Sequence, residues 1–269
     1  MVEVVFLNRN QTKEEFKKSK YLQTISSREL NIRRELFGNT ANTRVDLMQY
    51  YYKSVREFAY EEKEKLEIIV KNALELLNKK FPNITHFIAP NNKIFLGKVE
   101  GTLDWHFPYT LNMTIILPIN IINEKSQDEL TSTMIHEMIH LHQKTQPNFY
   151  EEIYKNNFGF EKINPEKIII TSNYENKLIT NPDALKREWV IQLYDGLYLP
   201  ALIYLQQRHY SCLFRLKKSL NEGYYVAEED PIIAHSRSDY IQMVQGCKEQ
   251  LDHPNEIIAC IIASSIFKK

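Results

Sequence analysis

Residues 131–144 read TSTMIHEMIHLHQK, and the fold turns on whether this run is a helix and on what its histidines face. The start signal is strong: Ser126 followed by Glu129 has the Ser-x-x-Glu form of a capping box, and Leu130, Met134, Met138 and Leu141 fall on one apolar stripe. On such a helix His136 and His140 stand four apart, so both rings leave the same face one turn above the other. That spacing lets two ring nitrogens hold one ion at about 2.0–2.1 Å each. Histidines buried beneath a continuous apolar stripe need a partner, because an unsatisfied polar group costs free energy when it leaves water.

Glu137 sits beside the pair. It does not easily share their coordination, but it can reach a water on the ion, the arrangement of hydrolytic zinc sites. Zinc lowers the pKa of bound water from near 16 to roughly 7, and a glutamate base can then take its proton as the water attacks a carbonyl. A catalytic zinc also needs a third protein ligand and an open position. Glu151 and Glu152 follow the helix too closely and read as members of a next helix, and His142 points to another face. Asp183, in an Asn-Pro-Asp turn, is first a cap for a helix carrying Trp189. Glu256 is the remaining candidate: in DHPNEIIACIIASSIF, Pro254 opens a helix, Glu256 lies in its first turn, and small apolar residues follow. His253, three residues earlier, is the candidate donor for a developing oxyanion, with His106, Tyr224, Tyr225 and Tyr240 behind it.

These residues carry a resemblance. MIHEMIHLHQ at 134–143 resembles the active-site helix of zincin metallopeptidases, and NEIIA at 255–259 resembles the second ligand helix of their gluzincin branch. Residue by residue, the resemblance implies His136, His140 and Glu256 as zinc ligands and Glu137 as general base. A closer likeness is to zincin-like proteins of microbes and large DNA viruses, which share the runs seen here as FPYTLNMTIILP, QKTQP, FYEEIYKNNFGF, Asn-Pro-Asp with a later Trp, and His-Pro-x-Glu-Ile. It covers roughly residues 95–263 and implies a peptide or protein substrate. Two features depart from the pattern. Glu256 follows His140 by 116 positions, far more than gluzincins use, and Tyr109 stands where that set often has a histidine. The alternative function is a catalytically silent zincin-fold protein that holds zinc and acts as a binding module.

Around this core, Arg44 to Phe81 carries apolar residues at helical intervals until Pro82, which reads as one long helix or as one broken near Tyr60. KEEFKKSKYL and ISSRELNIRRELF read as shorter helices, and MVEVVFLNRN as a strand. THFIAP, KIFLGKV and LNMTIILPINII suit strands, as do KIIITS, LYLPALIYLQQ, HYSCLFRLKK and GYYVAEE. The expectation is an α+β chain with a zincin-like core: a helical subdomain at 1–82, a catalytic domain at 83–269, and a β-rich insertion at about 163–240 between the ligand helices. Lys+Arg 34 against Asp+Glu 34 leaves no net field to draw the chain to nucleic acid or membrane, and basic clusters such as Lys17-Lys18 are short. Cys212, Cys247 and Cys260 are an odd three without metal-like spacing, which argues for thiols in a reducing, cytoplasmic setting. No signal-peptide pattern and no apolar run of about 18 residues appears.

Overall fold

Of the strands at the centre of the first sheet, KIFLGKV (Lys93–Val99) and TIILP (Thr114–Pro118) are nearly continuous apolar runs, the pattern of strands covered on both faces. The computed structural model describes residues 2–36, 43–82, 84–101, 103–171, 173–219, 223–227, 229–244, 247 and 249–267. By chain contacts these form two compact units, one of 1–23, 41–147 and 262–269, the other of 24–40 and 148–261. The protein is α+β.

In the first unit the sheet runs Glu3–Phe6, Lys93–Val99, Thr114–Pro118, Tyr109–Leu111, the first three parallel and the last antiparallel. Gly97 lies where the Arg9–Lys18 helix passes close: a Cβ there would meet Ile116 Cδ1 at 2.8 Å and Thr12 Cγ2 at 3.0 Å. The Tyr60–Lys80 and Gln127–Thr145 helices pack together through apolar faces that include the buried Leu66, Ile69, Ala73 and Met134, Met138. The unit takes elements from both sides of the 82/83 boundary expected from sequence, because Glu3–Phe6 pairs with Lys93–Val99.

Two local expectations are decided here. The helical stretch is broken just before Tyr60, the alternative that the sequence offered, into Arg44–Ser54 and Tyr60–Lys80, because Val55 and Arg56 leave the helix to pair with Val99 and Lys98. The ladder outweighs helical periodicity at that point. THFIAP is not a strand: Ile84–Ile88 is a short helix whose buried residues, Ile84 and Ile88, lie four apart, and Pro90 follows. A short apolar run fits either period, and here burial at i and i+4 decides it.

The second unit holds a seven-stranded sheet in the order Phe160–Lys162, Trp189–Leu193, Gly196–Leu205, Arg208–Lys218, Tyr225–Ala227, Ile168–Ile170, with Ile232–Ile233 also on Arg208–Lys218. Its core is its own, built from Leu178, Val190, Leu199, Ile203, Phe214 and their neighbours. Trp189 therefore lies on a strand, not on a helix capped by Asp183; the mostly apolar WVIQL run pairs with both Phe160–Lys162 and Gly196–Leu205. The cysteine expectation is corrected as well. Cys247 and Cys260 form a disulfide with Cα atoms 6.3 Å apart, which removes the cysteine argument for a reducing compartment. Cys212 is the buried thiol, and burial pushes it up to about 12. Among the described residues no helix is long and apolar enough to cross a membrane.

The long hairpin closes with Leu205 opposite Arg208, so Gln206 and Gln207 alone make the turn, at φ 49° and 61°. A two-residue turn of this hand matches strand twist but favours Asn-Gly, and each glutamine pays strain for its left-handed backbone. Replacing Gln206-Gln207 by Asn-Gly is expected to raise stability by about 1 kcal/mol. Urea unfolding checks this, and equal or lower stability of the variant contradicts the reading.

Candidate metal centre

The Gln127–Thr145 helix begins as its sequence says. Ser126 Oγ accepts the backbone N–H of Glu129 at 3.3 Å, and Glu129 Oε2 accepts the N–H of Ser126 at 2.9 Å. Both bonds satisfy donors that the first turn would otherwise leave bare. Leu130, Met134, Ile135, Met138, Ile139 and Leu141 are all buried, so the middle of the helix is covered on nearly every side. Within that apolar sleeve His140 and Glu137 are buried too, and His136 is half-buried.

The two histidines converge. Their Nε2 atoms are 3.0 Å apart and the rings meet edge to face at 4.7 Å between centroids. Two nitrogens at about 2.0–2.1 Å from one tetrahedral zinc stand about 3.3 Å apart, so the pair is within a few tenths of an ångström of that geometry. His140 Nδ1 lies 2.7 Å from Gln143 Oε1. An amide oxygen only accepts, so Nδ1 carries the proton and Nε2 offers its lone pair toward His136. A ligand histidine whose other nitrogen donates to a fixed acceptor is the usual outer-shell arrangement of a metal site. The donor set therefore fits a zinc ion. His142 belongs elsewhere, as expected: its ring packs on Phe87 at 5.5 Å, and burial holds its pKa below the ordinary value. Lys144 ties the end of the helix to the edge strand, donating to the carbonyl of Thr110 at 3.1 Å.

Glu256 and His253 lie in the second unit, at the start of the Pro254–Phe267 helix. The helix opens at Pro254, where a missing N–H does no harm, and the carbonyl of His253 accepts the N–H of Ile257 at 3.1 Å. His253 Nδ1 accepts the backbone N–H of Asn255 at 3.1 Å. That bond requires the lone pair on Nδ1 and so leaves the proton of the neutral ring on Nε2, which makes His253 a donor at its outer nitrogen.

Glu256 is 1 % exposed. Its Oε1 accepts from Asn181 Nδ2 at 3.0 Å, and the same amide nitrogen gives a hydrogen bond to Asp252 Oδ2 at 3.2 Å. Asn181 Oδ1 meanwhile accepts the N–H of Asp183 at 2.9 Å, an Asx turn that fixes which end of the amide faces the carboxylates. Asp252 Oδ1 takes a further bond from Ser211 Oγ at 3.3 Å. Burial, and then the nearby Glu256, hold the Asp252 carboxyl up to about 6. Asn181, Asp252 and Ser211 were not singled out from sequence; only the Asn-Pro-Asp turn hinted at the first, and it was assigned to capping. Glu151 and Glu152 lie on the Pro147–Phe158 helix, as expected. Tyr240 is spent in the core, its hydroxyl donating to the carbonyl of Leu251 at 2.9 Å.

An unfolded aspartate loses its proton near pH 3.8, whereas folded Asp252 keeps it to about pH 6. Its contribution to stability is therefore full below the first value and lost as the pH rises through the second. With chelator present, Asp252→Asn is expected to stabilise the chain by about 1–2 kcal/mol at pH 7 and to leave it nearly unchanged at pH 4. Urea titrations at the two pH values test this; a variant that loses stability at pH 7 contradicts it. Comparison of the chain with protein-family models, with curated proteins and with solved structures gives no match.

Proposed function

We propose that the chain is a zinc-dependent metallopeptidase with a zincin-like core, in which His136, His140 and Glu256 hold the ion, Glu137 is the general base and His253 donates to the developing oxyanion. The observation that carries this reading is the convergence of His136 and His140 Nε2 at 3.0 Å, with the His140 tautomer set by Gln143. Two more features support it. Glu137 is a buried carboxylate next in sequence to the first histidine, and Glu256 is a buried carboxylate already oriented by an amide. A carboxylate removed from water asks for a positive partner, and a divalent cation is the strongest available.

When bound, zinc supplies Lewis acidity, polarising a carbonyl and making water acidic enough to attack at neutral pH. Glu137 accepts the proton of the attacking water and passes it to the leaving amine. Its position on the rigid helix between the two histidines fixes where that proton is taken. His253, held as the Nε2–H tautomer by the backbone N–H of Asn255, gives a hydrogen bond to the oxygen that gains charge as the carbonyl becomes tetrahedral. Gln143 keeps His140 from rotating, and Asn181 does the same for Glu256.

Elemental analysis of the purified chain is expected to give one zinc per molecule, falling at least tenfold in His136→Ala. Glu137→Gln should keep the zinc and lower turnover of a fluorogenic peptide library by about 100-fold or more. Zinc at one equivalent with unchanged turnover in Glu137→Gln would mean a zinc-holding binding module; absence of zinc from the wild-type chain would sink both readings.

A further inference from the structure

No chemical motif marks the Ser27–Leu36 helix, yet it belongs to the second unit and buries a charge pair there. Ser26 Oγ accepts the N–H of Glu29 at 3.1 Å, which sets the first turn. Glu29 and Arg33 stand one turn apart, and a single carboxylate oxygen, Oε1, accepts from both Arg33 Nε at 2.9 Å and Nη2 at 2.8 Å. The other oxygen is thereby turned toward a donor outside the helix. That donor is Thr180, 151 positions on, whose Oγ1 gives a hydrogen bond to Glu29 Oε2 at 2.7 Å. Glu29, Arg33 and Thr180 are all buried, and at such a place two apolar residues of similar volume are often at least as stabilising as an ion pair. Docking of the helix does not call for the pair, since Ile32 is buried and Arg28 joins Glu175 at the surface.

What the pair holds is the residue before Asn181. On one side of it Ile179 is fixed through both backbone groups: its N–H goes to the carbonyl of Leu202 at 3.0 Å, and its carbonyl accepts Arg187 Nη2 at 3.3 Å. On the other side the carbonyl of Asn181 accepts the N–H of Ala184 at 3.1 Å. Between these anchors Thr180 is tied through its side chain, by a hydroxyl-to-carboxylate bond of the charge-assisted kind. The Asn181 amide then divides its work, with Oδ1 on the N–H of Asp183 and Nδ2 on Glu256 at 3.0 Å and Asp252 at 3.2 Å. Those last two distances stand near the long end of the N–H···O range, so a shift of about 0.5 Å at the Thr180–Asn181 backbone is enough to lose a bond.

We propose that Thr180 is a positioning residue for the third zinc ligand: the Glu29–Arg33 pair holds its hydroxyl, the hydroxyl fixes the Thr180–Asn181 backbone, and Asn181 aims Glu256. The helix at 27–36 thereby gains a role in the candidate centre without supplying a group to it. The inference rests on the metallopeptidase reading for what Glu256 holds; the placement of Asn181 needs no metal and is measured without one. In the full, metal-free chain, NMR follows the side-chain amide protons of Asn181, identified by their loss in Asn181→Asp. Zinc affinity is then read by competition with a chelating dye.

Thr180→Val keeps the shape and removes the hydroxyl. In it the Asn181 amide protons are expected to exchange with water about tenfold faster than in the wild type. Its zinc affinity should fall about tenfold, the loss typical of a disturbed outer shell. Thr180→Ser, which restores the hydroxyl, should return both readouts to wild-type values. Thr180→Ala carries the same expectation as the valine variant and covers the case in which valine does not fold. The proposal is overturned if a folded variant without the hydroxyl keeps wild-type exchange or wild-type zinc affinity, as a purely structural threonine would, or if serine is as impaired as valine. Failure of the wild-type chain to bind zinc, with the Asn181 amide still dependent on the hydroxyl, would instead remove the metallopeptidase reading and leave the positioning of Asn181 standing.

Discussion

A carboxylate taken out of water is destabilising by several kcal/mol unless hydrogen bonds or opposite charge replace its hydration, and this chain buries two side by side, Asp252 and Glu256. The loop 179–188, Ser211 on the long hairpin and the start of the last helix are organised around that constraint. Asn181 gives one N–H to each carboxylate, Ser211 a hydroxyl to Asp252, and the Asp183 N–H holds the amide in place. Ser211 Oγ in turn accepts the N–H of Leu251, so the same hydroxyl fixes the backbone just before Asp252. Even so, the pair is under-compensated: Asp252 holds its proton far into the range where a solvated aspartate would be charged. Stability has been given up here to keep an acidic, oriented group in an apolar setting, which is common where a group has chemical work to do.

The histidine helix meets the same difficulty differently. Its middle is sheathed in Met, Ile and Leu, so water cannot satisfy His140, and the helix supplies a partner from within itself, Gln143 three residues on. Local partners tie the geometry to helical spacing alone, and the orientation of the ring is set once the helix forms. Glu256 depends instead on an asparagine 75 positions earlier, so its orientation exists only after the second unit has folded.

This difference also explains what could be read from the sequence. The capping box at Ser126, the paired histidines, the opening of the last helix at Pro254 and the strands of the hairpin all depend on neighbours within a few residues, and each was legible. A break near Tyr60 was legible, but not its cause, since the ladder from Val55 to Val99 acts from 44 positions away. THFIAP failed for want of length, as a five-residue helix and a short strand share the same apolar spacing. Asn181 escaped because an Asn-Pro-Asp turn is informative about the backbone and silent about what the amide meets. The cysteine pair, 13 residues apart, has no local signature.

The residue that follows Asn181 is proline. Asparagine side chains age by cyclising: the backbone nitrogen of the next residue attacks the amide, ammonia leaves, and the ring opens to aspartate or isoaspartate. Proline has no N–H to deprotonate for that attack. Conversion of Asn181 would set a third carboxylate against Asp252 and Glu256, and would remove the two N–H groups that hold them. Pro182 closes that route, so the amide on which the acidic pair depends is also shielded from its commonest chemical failure.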